Sequence, residues 1–127
     1  MTRDRPSSLD FVGRKDEIAA LIDHLSGQNI ELRGHARNAP RFDAGWSRDD
    51  DVFIAEVKSL TGASEDQQIR LGIGQVLDYA HQIQLARTFG RVRPVLVLEK
   101  QSADPRWTSL AEASGILLTW APAFAGC

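Results

Sequence analysis

The segment at residues 52–60 constrains the fold more strongly than any other part of the sequence. Its residues, VFIAEVKSL, are rich in β-branched and apolar types, and both odd and even positions near its start are apolar. A strand that is apolar on both faces is typical of the middle of a sheet whose two sides are covered. The chain is therefore expected to place further strands beside this segment and helices over it.

Apolar spacing predicts the elements around this central strand. A first helix is expected over residues 13–27, with Ile18, Leu21, Ile22 and Leu25 on one stripe. The remaining predicted elements are strands at 29–32, 41–46 and 52–60, a helix at 66–85, a strand at 95–98, a helix at 105–114 and a strand at 116–120. The polar run at 48–51 predicts a hairpin turn, and helical crossovers then extend the sheet. This order predicts an α/β fold with a mixed central sheet flanked by helices.

Composition limits the chain to one domain and gives no global signal for a nucleic-acid partner. With 127 residues, 43% of them hydrophobic, residues 13–127 are expected to form a single domain after a loose segment at 1–12. The net charge of -2 gives no overall attraction for nucleic acid, so binding would need a local basic patch or a bound cation. Because no signal peptide or membrane span is evident, a cytoplasmic location is expected.

Two charged residues interrupt the otherwise apolar central strand. Glu56 and Lys58 are two positions apart, so their side chains leave the same face of the strand. If the preceding hairpin turns at Asp49 and Asp50, Asp43 lies directly across from Glu56, with Cβ atoms about 5 Å apart. Two carboxylates at this distance can ligate one Mg²⁺, while a nearby lysine stabilises negative charge or helps to deprotonate water. The set predicts metal-assisted phosphodiester hydrolysis.

The alternative is that these charges only face solvent at the end of a strand. Most charged residues in a protein lie on the surface and contact solvent. However, Glu56 and Lys58 share their face with Val52 and Ile54, which are apolar, so this face is expected to be covered. The covered face favours the functional interpretation.

The segment Asp43-Ala-Gly-Trp, followed by VFIAEVKS at 52–59, resembles the motifs of the PD-(D/E)XK nuclease superfamily. In that superfamily an aspartate and a strand-borne Glu-x-Lys bind the metal; here Phe42 stands where proline is usual. Gln75-Val-Leu-Asp-Tyr79 is similar to the Gln-x-x-x-Tyr motif of its exonuclease-like branch. The resemblance implies a restriction-endonuclease-like αβββαβ core, Mg²⁺ with Mn²⁺ as a substitute, and catalytic roles for Asp43, Glu56, Lys58, Gln75 and Tyr79.

The helix at 66–85 carries both the second motif and two glycines. Gln75 and Tyr79 are one turn apart and share a face, although a solvated polar face with a half-buried tyrosine would give the same spacing. Gly72 and Gly74 each cost about 1 kcal/mol relative to alanine inside a helix. Close packing against the sheet or close approach of a ligand would explain them.

Further site residues are expected outside these motifs. The superfamily often adds an acid from the first helix, and Glu17 projects from the flank of the buried stripe; a first-turn acid favoured by the helix dipole is the alternative. Basic residues that could contact phosphates precede the hairpin or open the second helix, and they are Arg33, His35, Arg37, Arg41 and Arg70. Trp107 and Trp120 lie in apolar elements and are expected to be core.

These features together predict a Mg²⁺-dependent deoxyribonuclease, an endonuclease rather than an exonuclease, from a restriction, defence or repair system. The partner is DNA, with RNA equally compatible with the sequence. A chain this short has little surface for reading bases, so a homodimer or a separate DNA-binding domain or protein is expected. The alternative function is a catalytically silent module of the same fold that binds nucleic acid or a protein.

Overall fold

A computed structural model of the chain describes residues 21, 23–24, 43–60, 64–87 and 90–127. Leu21, Asp23 and His24 are helical, in agreement with the predicted first helix. The expected loose segment at 1–12 and the expected strand at 29–32 lie outside the described residues. The elements are β1 (Ala44–Arg48), β2 (Asp51–Lys58), α1 (Glu65–Leu85), β3 (Val92–Leu98), α2 (Arg106–Ala113) and β4 (Leu117–Trp120).

The four described strands form one mixed sheet in the order β1-β2-β3-β4. β1 and β2 are antiparallel, whereas β2 with β3 and β3 with β4 are parallel. Each parallel pair is joined through a helix, as parallel neighbours require. The predicted α/β class and the mixed sheet with a central 52–60 strand are confirmed.

The hairpin between β1 and β2 has the predicted register. Its pairs run from Ala44 with Ala55 to Arg48 with Asp51, which leaves only Asp49 and Asp50 in the turn. Asp49 has a φ of 57°, in the left-handed region that tight hairpin turns require.

The predicted bounds of both hairpin strands were wrong by a few residues. The strand expected at 41–46 is observed from Ala44 to Arg48, while residues 41 and 42 lie outside the described part of the chain. Asp43 occupies a bend rather than a strand position. Polarity at Arg48 and Asp51 formed part of the turn signal, but a strand tolerates polar side chains wherever they reach solvent.

β3 begins three residues earlier than predicted. Pro94 was expected to precede the strand, but it lies inside it. The strand runs from Val92, and Pro94 pairs with Ile54 of β2. Pairing with β4 starts only at Val95, so at Pro94 the β4 side of the strand faces no described strand. A missing N–H is tolerated at such a position.

Helices cover one face of the sheet, and the other face packs against the helical residue Leu21 and the segment after β4. Beneath α1 and α2 lies one apolar cluster, made of Leu60, Ile69, Val76, Leu96, Leu98, Trp107, Ala111 and Ile116. On the opposite face lies a second cluster, made of Leu21, Ala44, Trp46, Ala55, Val57, Val95, Val97, Phe124 and Cys127. The central strands are thus buried on both sides, as the apolar pattern of residues 52–60 predicts.

Side chains at both ends of α1 hold it to neighbouring loops. At its start, Glu65 accepts hydrogen bonds from the Ser102 hydroxyl at 3.0 Å and from the backbone N–H of Ala103 at 2.9 Å. At its end, the Gln84 side-chain oxygen accepts from the Val92 N–H at 2.7 Å. The helix is therefore anchored before and after β3.

One of the two glycines inside α1 is explained by close packing. A Cβ on Gly72 would lie 2.5 Å from Leu96 Cδ1 and 3.1 Å from Lys58 Cγ, so a larger residue there would require these two buried side chains to shift. A Cβ on Gly74 would meet nothing within 4 Å. Packing therefore accounts for Gly72 but not for Gly74.

The two glycines provide a matched pair of variants. Gly72→Ala is expected to destabilise the fold, since overpacking costs about 1–3 kcal/mol and the gain in helix propensity is at most about 1 kcal/mol. Gly74→Ala gains the same propensity with no clash, so it should stabilise the fold by about 0.5–1 kcal/mol. Urea unfolding of both variants measures the difference, and equal effects would contradict the packing described for Gly72.

Asp66, in the first turn of α1, links α1 to α2 through its carboxylate. Its carboxylate accepts from Trp107 Nε1 at 2.9 Å and pairs with the Arg106 guanidinium at 3.3 Å. The hydrogen bond from Trp107, reinforced by Arg106, holds the pKa of Asp66 below its ordinary value of 3.8. The folded protein therefore favours the ionised form of this carboxyl.

A pH dependence of stability follows from the lowered pKa of Asp66. Because the folded state binds this proton less tightly than the unfolded state, the stabilisation is complete above the ordinary pKa and is lost as pH falls through the lowered one. Asp66→Asn should therefore be less stable than the wild type near neutral pH and equally stable well below pH 3.8. Urea unfolding at both pH values measures this, and a constant difference would remove the assigned role of the charge.

Candidate active site

Two carboxylates and a lysine lie together on the sheet face that α1 covers. Asp43 is 4% exposed, Glu56 2% and Lys58 5%. Glu56 and Lys58 share the face of β2 on which Ile54, also buried, lies. The expectation that this face is covered is confirmed, and the reading of these charges as solvated strand ends is wrong.

Asp43 is fixed to β2 by two hydrogen bonds. Its backbone N–H donates to the Ala55 carbonyl at 3.0 Å, and its carboxylate Oδ2 accepts from the Val57 N–H at 2.8 Å. These bonds lie on either side of Glu56, so the two carboxylates are neighbours across the end of the hairpin. Two ionised carboxylates this close repel each other unless a positive charge lies between or beside them.

α1 brings Gln75 and Tyr79 to the same carboxylates. The Tyr79 hydroxyl is hydrogen bonded to the Gln75 side chain, and burial together with the negative charges of Glu56 and Asp43 raises the pKa of Tyr79. The Oε1 atom of Gln75 is buried and has no hydrogen-bond partner among the described residues. The two motifs, separate in sequence, therefore converge on one place.

The stem of Lys58 packs directly beneath α1. Its Cγ lies where a side chain at Gly72 would make a contact tighter than usual, at 3.1 Å from the ideal Cβ position. A lysine can bury its methylene stem in this way while its ammonium reaches a polar region. The missing side chain at Gly72 thus leaves room for the methylene stem of Lys58.

Not every predicted site residue lies here. Arg70 lies on the α2 side of α1, with its guanidinium 5.5 Å from the centre of the Trp107 ring, whereas Gln75 and Tyr79 face the carboxylates. The other predicted residues lie outside the described part of the chain, and they are Glu17, Arg33, His35, Arg37 and Arg41.

The donor set suits a hard divalent cation. Among residues 21, 23–24, 43–60, 64–87 and 90–127, no group of three or more His, Cys, Asp and Glu side chains is placed to hold a metal ion. Asp43 and Glu56 supply two carboxylates, and Mg²⁺ commonly binds through one or two carboxylates while keeping several waters. The residues present therefore fit Mg²⁺ in donor type and number.

A cavity that the sequence does not predict lies between the two helices. Its volume is about 620 Å³, and its walls include Arg70, Ile73 and Leu110. Trp107 closes its base and is 2% exposed, which confirms that this tryptophan is core. Arg106 and Trp107 also line the cavity, with the guanidinium 4.4 Å from the centre of the ring.

Comparisons of the chain with protein-family models, with curated proteins and with solved structures found no match. None of the described helices is long and apolar enough to cross a membrane.

Proposed function

We propose that this chain is a metal-dependent nuclease that hydrolyses phosphodiester bonds of DNA, with a PD-(D/E)XK-like site. The observation that carries the proposal is the burial of Asp43, Glu56 and Lys58 on one sheet face beneath α1. Three neighbouring charged side chains in a largely apolar setting cost free energy, so a functional reason for keeping them is needed. On this proposal the described sheet and helices are part of a restriction-endonuclease-like αβββαβ core.

Each residue has a distinct role in the proposed reaction. Asp43, whose carboxylate is positioned by the Val57 N–H, and the buried Glu56 would hold the divalent ion through their carboxylate oxygens. When bound there, Mg²⁺ or Mn²⁺ would supply a water of lowered pKa and would offset charge on the phosphate. Lys58 Nζ stabilises the negative charge that develops on the phosphate oxygens.

Gln75 and Tyr79 position the nucleic acid beside the carboxylates. The buried Gln75 Oε1 accepts a hydrogen bond from the attacking water, and the Tyr79 hydroxyl is held toward the site by its bond to Gln75. Both groups come from the helix anchored over the site. Their part in catalysis is orientation rather than proton transfer.

Cleavage of supercoiled plasmid and of short single- and double-stranded DNA tests the proposal. Cutting is expected with Mg²⁺ or Mn²⁺ and is expected to stop when EDTA removes the ion. Cleavage of RNA substrates of the same sequences, measured in parallel, shows whether the enzyme distinguishes deoxyribose from ribose. No cutting of any substrate would favour a catalytically silent module of this fold that binds nucleic acid or a protein.

Ion binding can be measured separately from cleavage. Asp43→Asn removes one carboxylate charge but keeps an oxygen that accepts from the Val57 N–H, so the hairpin should remain intact. Mn²⁺ binding, followed by isothermal titration calorimetry, is expected to weaken by about tenfold or more, because one of two charged ligands is lost. Unchanged affinity would remove Asp43 from the ion site.

A further inference from the structure

The outer face of α1, opposite the sheet, exposes two leucines on either side of a glycine. Leu71 is 51% exposed and Leu77 38% exposed, and each is three residues from Gly74. Nothing lies within 4 Å of the position that a Cβ on Gly74 would occupy. Packing within the chain therefore explains neither the exposed leucines nor the glycine between them.

Charges of opposite sign are placed symmetrically about the same glycine. Arg70 and Asp78 are both exposed and lie four residues before and four residues after Gly74; within the chain Arg70 also lies over the Trp107 ring, and Asp78 accepts a hydrogen bond from Gln82 at 3.0 Å. In the sequence RLGIGQVLD, at residues 70–78, reversal about Gly74 exchanges Arg70 with Asp78 and Leu71 with Leu77. The segment can therefore complement a reversed copy of itself. In a two-fold interface residue i contacts residue j and residue j contacts residue i, and a sequence mirrored in this way meets that requirement.

We propose that α1 pairs with α1 of a second copy of this chain, antiparallel, with a two-fold axis passing beside Gly74. Residues four apart form a ridge along a helix, and two such ridges align when helices cross at about 50°. In that arrangement Arg70 of each copy lies against Asp78 of the other, so the two-fold axis produces two equivalent ion pairs. The leucines flank the crossing point on both sides and pack against those of the second copy.

Gly74 is what allows the two ridges to meet. A side chain at the crossing point would hold the helices apart, whereas glycine lets the backbones approach closely. The same position costs about 1 kcal/mol of helix stability relative to alanine. The pairing therefore supplies the reason for Gly74 that the fold does not.

The pairing is weak and depends on protein concentration. The face of one helix buries less than the roughly 1,200–2,000 Å² typical of stable complexes. The contact is independent of the proposed nuclease activity, because it uses the outer face of α1, whereas Gln75 and Tyr79 face the carboxylates. Dimerisation is therefore measured on the protein alone, without DNA or metal.

A charge-swap series in sedimentation equilibrium tests the proposed pair. Asp78→Arg places arginine against Arg70 of the other copy and is expected to weaken dimerisation about tenfold or more, since like charges in contact are costly. Adding Arg70→Asp to that variant restores opposite charges and should restore dimerisation. Glu112→Arg, an equal charge change on the exposed side of α2, is the matched control and should have no effect.

Crosslinking at the axis gives a second, geometric readout. Gly74→Cys in a Cys127→Ser background places two thiols near the axis, and oxidation is expected to link the copies, because a disulfide needs Cα atoms about 4.4–6.8 Å apart. Leu110→Cys in the same background is exposed but lies on α2, and should not crosslink. A wild-type chain that stays monomeric at all concentrations, or a charge swap without rescue, would overturn the proposal.

Discussion

Glu56→Gln is expected to lower metal-dependent DNA cleavage by about a hundredfold to a thousandfold, the scale seen when one charge-stabilising group is lost from an active site. The substitution keeps the shape of a side chain that is 2% exposed and removes only its charge. Plasmid cleavage under single-turnover conditions, with Mn²⁺ at a saturating concentration, measures the loss. Near wild-type cleavage by Glu56→Gln would refute the assigned site.

Loss of activity by unfolding can be separated from loss of chemistry. Glu56→Gln keeps the size of the side chain and one carbonyl oxygen, so the variant is expected to remain folded, and its urea unfolding, measured beside that of the wild type, separates the two causes. Lys58→Ala is expected to be inactive as well, but it also deletes the stem that packs beneath Gly72. Lys58→Met is the matched control, because it keeps most of that stem while removing the charge.

Trp107→Ala is expected to cost about 3–5 kcal/mol of unfolding free energy, the range for truncating a buried tryptophan. Its ring is almost fully buried in the cluster beneath the helices, and its N–H bonds to Asp66 at 2.9 Å. A domain of this size is stable by about 5–15 kcal/mol, so the variant approaches the limit of folding. Urea unfolding at neutral pH measures the change.

Trp107→Phe separates the packing of this residue from its hydrogen bond. Phenylalanine fills much of the same space but leaves the Asp66 carboxylate without the indole donor, so a smaller loss of about 1–3 kcal/mol is expected. If Trp107→Ala cost less than about 1 kcal/mol, α2 would not depend on this contact.

Sequence patterns predicted the relations that depend on local geometry. A two-residue turn at Asp49 and Asp50 predicted the pairs of the hairpin, and the observed register from Ala44 with Ala55 to Arg48 with Asp51 agrees, while Asp43 lies in a bend just beyond the last pair. The covered face followed from apolar residues beside Glu56 and Lys58. Both inferences use only the alternation of a strand and the length of a turn, which tertiary contacts do not alter.

Relations that depend on a distant partner could not be predicted in this way. Pro94 marked a strand boundary in the sequence, but it is tolerated within β3 because β4 is short. The position of the Arg70 guanidinium over Trp107 could not be predicted either, because no pattern within α1 indicates on which side α2 packs. The bond from the Val57 N–H to Asp43 likewise depends on how the chain enters β1.

The anchoring of α1 at both ends has a consequence for the motions of the domain. Glu65 holds the segment after β3 and Gln84 holds the start of β3, so the helix cannot lift from the sheet at one end alone without breaking these bonds. Opening over the carboxylates is then expected to accompany local unfolding around β3, so the amides of β2 and β3 are expected to exchange their hydrogens as one cooperative unit. If the proposed nuclease function holds, a substrate would approach the carboxylates past Tyr79, which is partly exposed, without α1 having to move.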